Sequence, residues 1–147
     1  MVKTEPSLKT RAMRLLARRE HSRSELARKL AANAAESDDV AALLDELSTK
    51  GWLSDARFAE QSIRAKSRRF GPLKLAGYLR AKGVDDESVA AAMRAAGAEG
   101  VSSIEAVWKS RFRERPTNDR ELARQARFLR GRGFASDEVF RFLVHAP

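Results

Sequence analysis

The stretch GPLKLAGYLRAKGVDDESVAAAMRAA, Gly71 to Ala96, can be laid over two others in the same chain: SRSELARKLAANAAESDDVAALLDEL from Ser22 and RQARFLRGRGFASDEVFRFLVH from Arg124. Leu30, Leu79 and Leu129 fall in one column. Ala35, Val84 and Phe134 fall in the next, then Ser37, Asp86 and Ser136, then Val40, Val89 and Val139. The offsets are 49 and 50 residues throughout. Self-similarity at a fixed period of this size is the signature of a repeat architecture. The charge repeats in step: net +6 over 1–34, −5 over 35–60, +7 over 61–82, −4 over 83–105, +6 over 106–134 and −1 over 135–147, which makes the chain's +9.

Each copy reads as three helices. Apolar residues recur at helical spacing, as in Val40, Leu43, Leu44 and Leu47, or Val139, Phe142 and Leu143, and no stretch alternates as a strand would. The expected helices are 8–20, 22–34 and 37–50, then 55–69, 71–83 and 85–96, then 102–114, 118–132 and 136–144. Ser22 with Glu25, and Asn118 with Glu121, follow a capping-box pattern. Pro72 suits a first helical position. Ser37, Asp86 and Ser136 are aligned N-cap candidates, and Gly51, Gly83 and Gly133 suit helix ends. The fold class is therefore all-α, three tandem three-helix repeats in an elongated, curved arrangement. The units run 1–53, with a short N-terminal tail, 54–100 and 101–147.

The segment KGWLSDARFAE, Lys50 to Glu60, is the punctuation between the first two units. Gly51 closes one helix and Ser54 caps the next, with Asp55 in its first turn. Arg57 and Phe58 begin that helix's exposed and buried faces. Trp52 and Leu53 are expected to dock into the joint, because a unit of about 50 residues is near the lower limit for burying its own core. Trp52 is read as a filler between units rather than a platform for a ligand.

Composition excludes several classes. There is no cysteine, so neither a disulfide framework nor a thiolate metal site is possible. His21 and His145 lie far apart, which argues against a zinc site. The apolar runs are short and broken by arginine, and the start, MVKTEPSLKTRAMRLL, lacks an apolar signal core, so the expected location is cytoplasmic. The glycines are scattered and build no phosphate-cradling loop. Asp38–Asp39 and Asp85–Asp86 sit at helix starts, where the helix dipole accounts for them. No catalytic constellation, cofactor site or metal site is expected, and the chain is not read as an enzyme.

The functional signal is basic. Arg64, Arg68, Arg69, Lys74, Arg80 and Lys82 fall on the first two helices of the middle unit. Arg124, Arg127, Arg130 and Arg132 fall on the second helix of the last. Arginine predominates, as suits bidentate contact with phosphate or carboxylate. Few of these charges have an opposite charge four residues away, so an external anion is the expected partner rather than a solvated, self-paired face.

The segments LLARREHSRSELARKL from Leu15, LDELSTKGWLSDARFAE from Leu44, RFGPLKLAGYLRAKGV from Arg69, and VWKSRFRE with ARFLRGRGF further on are similar to those of the RecX family. The resemblance covers about residues 8–144. It implies an all-helical protein of tandem three-helix repeats that binds the RecA recombinase and its filament on single-stranded DNA. It further implies suppression of strand exchange, ATP hydrolysis and co-protease activity, with bearing on DNA repair and the SOS response, and a molecule lying along the filament groove. The ten cations above are the candidate contacts with that filament. Weak, non-specific DNA binding is expected from net charge alone, and a monomer from the absence of long heptads. Two other readings stand beside it. One is a direct nucleic-acid binder with helix-turn-helix-like units, against which Asn33, Asn118, Gln61 and Gln125 are few for base readout and aromatic platforms are not evident on the basic faces. The other is an adaptor for another acidic protein.

Overall fold

The computed structural model describes residues 5–100 and 103–145, with side chains except at 98–100 and 145. Among the described residues there are nine helices and no strand: α1 Leu8–Arg18, α2 Arg23–Ala31, α3 Val40–Thr49, α4 Asp55–Lys66, α5 Pro72–Ala81, α6 Asp86–Gly100, α7 Ile104–Lys109, α8 Asp119–Gly131 and α9 Ser136–His145. None of them is long and apolar enough to cross a membrane.

The helix starts follow side-chain chemistry. Ser7, Ser22, Asp39, Ser54, Ser103 and Asn118 each accept a hydrogen bond from the backbone N–H three residues on. This satisfies one of the donors that a helix N-terminus leaves free. Pro72 opens α5 with no side-chain cap before it. The α6 helix is regular up to Ala96 and is broken at Gly97, where φ is 61°.

The aligned trio Ser37, Asp86 and Ser136 does not provide the caps. Asp38 accepts from the N–H of Ala35 and closes a turn, so α3 starts later, on Asp39. Asp85 caps α6 through the N–H of Ser88 at 2.7 Å, which leaves Asp86 in the first turn. Ser136 is itself the first residue of α9. The first helix of the third unit is shorter than 102–114. Residue 102 lies outside the described residues, and α7 ends at Lys109. The Ser110 hydroxyl donates to the Val107 carbonyl, a competing bond that favours termination, and Pro116 bars its predecessor from the helical region. The segment after α7 is instead tied down by side chains. Buried Gln125 accepts from the Trp108 indole N–H at 2.8 Å and donates to the Glu114 carbonyl at 3.0 Å.

Apolar burial divides by unit. Ala12, Leu26, Leu30, Leu44, Leu47 and Leu53 form one cluster. Phe58, Ala59, Ile63, Leu75, Leu79, Val84, Val89 and Ala92 form a second. Val107, Trp108, Phe112, Ala126, Leu129, Phe134, Val139 and Leu143 form a third. All four repeat columns except the one of N-cap candidates supply residues to these clusters. Trp52 is not a filler: it is 43% exposed, with the Lys50 ammonium 5.3 Å from its ring centroid. Leu53 is the residue of that pair that is buried.

The second helices of the units meet end to end. The Ser22 hydroxyl donates to the Lys82 carbonyl at 2.6 Å, so the start of α2 sits on the end of α5. The Gly71 N–H donates to the Arg132 carbonyl at 2.6 Å and the Leu73 N–H to the Gly133 carbonyl at 2.9 Å, so the start of α5 sits on the end of α8. Ser22 and Gly71 are aligned positions of the repeat, and so are Lys82 and Arg132. The repeat thus extends to the joints. Each places the carbonyl end of one helix dipole against the amide end of another, a favourable pairing.

Candidate functional site

These joints decide where the basic residues gather. Arg64 lies on α4, and Arg68 and Arg69 lie in the turn that follows it. Lys74 and Arg80 lie on α5, and Lys82 is its C-cap. Arg124, Arg127 and Arg130 lie on α8, and Arg132 is its C-cap. The α5–α8 joint brings cations of both units around one half-buried ring. The Lys74 ammonium and the Arg69 and Arg132 guanidinium carbons stand 4.9, 5.5 and 5.6 Å from the centroid of Phe70. Lys74 also donates to the Gly131 carbonyl at 3.2 Å, across the joint.

Two more rings are bracketed in the same manner. Phe128 has Arg132 at 5.0 Å and Arg111 at 5.7 Å. Tyr78 has Lys66 at 4.5 Å and Lys82 at 5.7 Å. Each contact of this kind contributes about 0.5–1 kcal/mol at an exposed site. The rings also fix their cations in place. Aromatic groups therefore do lie among the basic residues, contrary to the sequence reading. They were hidden there because Phe70, in the loop before α5, Tyr78 on α5 and Phe128 on α8 are each half-buried, half in the core and half among the charges.

Three of the ten candidates are partly spent within the chain. Arg80 pairs with Asp86 at 2.7 Å, Lys82 with Glu25 at 3.5 Å and Arg124 with Glu121 at 3.1 Å. The other seven, Arg64, Arg68, Arg69, Lys74, Arg127, Arg130 and Arg132, make no ion pair among the described residues. Arg64 stands apart, lining a groove with Ala92, Ala95 and Ala96. Arg115 was missed by the sequence reading and is structural. It donates to the Phe142 carbonyl and lies 4.0 Å from the centroid of that ring.

The α2–α5 joint holds the one buried carboxylate among the described residues. Glu25 is 3% exposed. Arg19 donates to both its oxygens, at 3.0 and 2.9 Å. The hydrogen bond from Arg19 holds the carboxyl at a pKa of about 2, against desolvation, which pushes the other way. Beside it, burial pushes the His21 pKa down. A neutral His21 donates from Nδ1 to the Arg19 carbonyl at 3.1 Å and accepts from Lys29 at Nε2 at 2.9 Å. Glu25 reaches the second unit through Lys82, whereas His21 and Lys29 bond within the first, and no group of three or more His, Asp or Glu among the described residues is placed to hold a metal ion.

Comparison with known proteins agrees with this organisation. Three family models match in order: RecX, first three-helix domain, over residues 9–47; RecX, second three-helix domain, over 54–93; and RecX, third three-helix domain, over 98–143. The chain is 41% identical over 137 residues to the regulatory protein RecX of Leptothrix cholodnii, covering 93% of this chain and 87% of that one. It is 42% identical over 138 residues to the regulatory protein RecX of Chromobacterium violaceum, covering 94% and 90%. A crystal structure of a regulatory protein RecX shares the fold at a TM-score of 0.76, with 20% identity, over 95% of this chain and 72% of that one.

Proposed function

The chain belongs to the RecX family of regulatory proteins, and from that premise we propose that it binds the RecA recombinase and RecA's filament on single-stranded DNA. In this reading it holds down RecA's recombinase, ATPase and co-protease activities, and so modulates DNA repair and the SOS response. It works as a monomer in the cytoplasm, without chemistry of its own, and its units divide at 53/54 and 100/101. Membership supports the class of partner. The observation that carries the surface is the set of seven cations without an ion pair, several of them gathered at the α5–α8 joint. Units joined on a repeated backbone plan offer a long face, and cations gathered on it suit an anionic polymer of identical subunits.

A direct reading of nucleic acid is favoured by one observation, the three rings flanked by cations, since rings beside basic groups are what single strands stack on. Against it as the whole function, Gln125 is buried and satisfied within the protein, which leaves still fewer amides for base readout.

The test is the DNA-dependent ATPase of RecA with the wild-type protein and with the variant carrying Arg68→Glu, Arg69→Glu, Arg127→Glu and Arg130→Glu. The expected result is inhibition by the wild type and at least a tenfold higher concentration needed for the variant, consistent with reversal of several contact charges. Wild-type protein that leaves the ATPase unchanged while binding naked DNA tightly would support the second reading instead.

A further inference from the structure

The first unit carries a groove that takes no part in the surface described above. It lies between α1 and α2 and has a volume of about 470 Å³. Arg11, Arg14 and Arg18 line it from α1, at positions i, i+3 and i+7, hence on one helix face. Lys29 lines it from α2, half-buried Leu15 and exposed Ala32 supply apolar surface, and buried Leu30 lies beneath. Among the described residues, no acidic and no aromatic side chain lines it. Arg14 and Arg18 are exposed and have no ion pair among the described residues. Lys29 bonds to His21, which accepts as a neutral ring, so its charge is not balanced there. Arg11 meets the one carboxylate that reaches this row, Glu5, at 2.8 Å, from an otherwise exposed side chain on the segment before α1.

We infer that this groove docks a segment of a partner protein that presents two carboxylates about one helical turn apart beside a large aliphatic side chain. The charge row fits it: Arg11 to Arg14 and Arg14 to Arg18 advance by about 4.5 and 6 Å along the axis, the spacing of acidic side chains on a facing helix. The apolar lining selects protein over nucleic acid. An alkyl side chain laid on Leu15 and Ala32 gains from burial, whereas a base gains most on an aromatic face, and the rings bracketed by cations all belong to the second and third units. Glu5 already makes, from within the chain, the carboxylate contact that the partner would make at Arg11, and so competes with it.

The experiment uses the full chain and a fluorescein-labelled peptide built of alternating pairs of glutamate and leucine, followed by fluorescence anisotropy. A peptide with serine for leucine and a thymidine oligonucleotide serve as comparisons. Arg14→Glu with Arg18→Glu is set against a charge-matched pair elsewhere, Arg68→Glu with Arg69→Glu. The groove pair is expected to weaken the leucine peptide by about tenfold or more and the distant pair by less than about threefold, because charge at a distance is screened. Glu5→Gln is expected to tighten binding about twofold by removing the competitor. All four arginines are exposed, and circular dichroism checks that each variant stays folded. Equal weakening by both pairs overturns the inference, because the groove would then act only through net charge. Equal binding of the serine peptide overturns its apolar part. A groove pair that costs the oligonucleotide as much as the leucine peptide makes this a nucleic-acid surface and overturns the choice of partner.

Discussion

The two joints between units have the same backbone plan and opposite chemistry. At the first, where α2 meets α5, side chains make the contacts. Ser22 bonds the Lys82 carbonyl, Asp55 accepts from the Arg23 N–H at 2.8 Å, Arg57 pairs with Glu20 at 2.9 Å, and buried Glu25 draws in Arg19 and Lys82. At the second, where α5 meets α8, backbone meets backbone. The N–H groups of Gly71 and Leu73 bond the carbonyls of Arg132 and Gly133, and a Cβ on Gly71 would lie 2.8 Å from the Gly133 carbonyl oxygen. A repeat can thus conserve shape at its joints while leaving the means of adhesion free. One joint is locked by charge, and the other by close approach.

That contrast breaks first at Gly133. Its φ is +103°, and an added Cβ would come within 2.6 Å of the Lys74 backbone nitrogen. Neither the conformation nor the neighbour can yield cheaply. Gly133→Ala is expected to cost about 2–4 kcal/mol in urea denaturation, combining backbone strain with overpacking. Gly77 lies within α5 with nothing inside 4 Å of its would-be Cβ, so Gly77→Ala should stabilise by about 0.5–1 kcal/mol. Equal responses at the two positions would mean that the second joint is looser than described.

The charge-locked joint is distinguished by pH. Folding lowers the Glu25 pKa from 4.5 to about 2. A depressed carboxyl stabilises the fold above its unfolded pKa, and that stabilisation disappears as pH falls from about 4.5 through 2. At neutral pH, Glu25→Gln should cost about 1–3 kcal/mol, less than a fully buried pair because Arg19 and Lys82 keep contact with water. As pH drops through that window, the gap between wild type and variant should close. A gap of constant size at pH 7 and pH 3, read by denaturant midpoints, would show that Glu25 acts by packing and not by charge. Gly71 and Gly133 contribute no titrating group, so the second joint adds nothing of this kind.

Much of this was legible in the sequence, and what was not has a physical pattern. The Leu30, Leu79 and Leu129 column announces the three cores because burial follows helical period. Gly83 and Gly133 are legible as helix ends, since a glycine C-cap is a local backbone signal. Their second role is non-local: the sites of their missing side chains face Ser24 and Lys74, on other units. Glu25 looks like half of a capping box, and its backbone N–H does bond to Ser22, yet its carboxylate belongs to a contact some 60 residues away in Lys82. Arg124 finds Glu121 at i,i+3, a spacing that inspection of i,i+4 pairs alone passes over. The row Arg11, Arg14 and Arg18 has helical spacing in the sequence, but the groove was missed because only packing sets Lys29 of α2 beside that row.

The smallest loss is expected at Trp52, in the chain's crossing between the first two units, and its contrast with Leu53 bears on whether the first joint is held by charge alone. Trp52 and Leu53 both hydrogen-bond through their N–H groups to the Leu47 carbonyl, at 2.9 and 3.2 Å. This tight closure after Gly51 turns one side chain inward and the other out. Leu53 is 4% exposed and Trp52 43%. Leu53→Ala should therefore cost about 2–4 kcal/mol, the usual range for a buried leucine. Trp52→Ala should cost no more than about 1 kcal/mol, the loss of its Lys50 contact and some partial burial. Tryptophan fluorescence with iodide as quencher gives an independent reading, since an outward Trp52 is open to the quencher and Trp108, 6% exposed, is not. Were Trp52→Ala to cost as much as Leu53→Ala, the ring would be filling the joint after all, and apolar packing would have to share the adhesion here assigned to Glu25, Arg19 and Lys82.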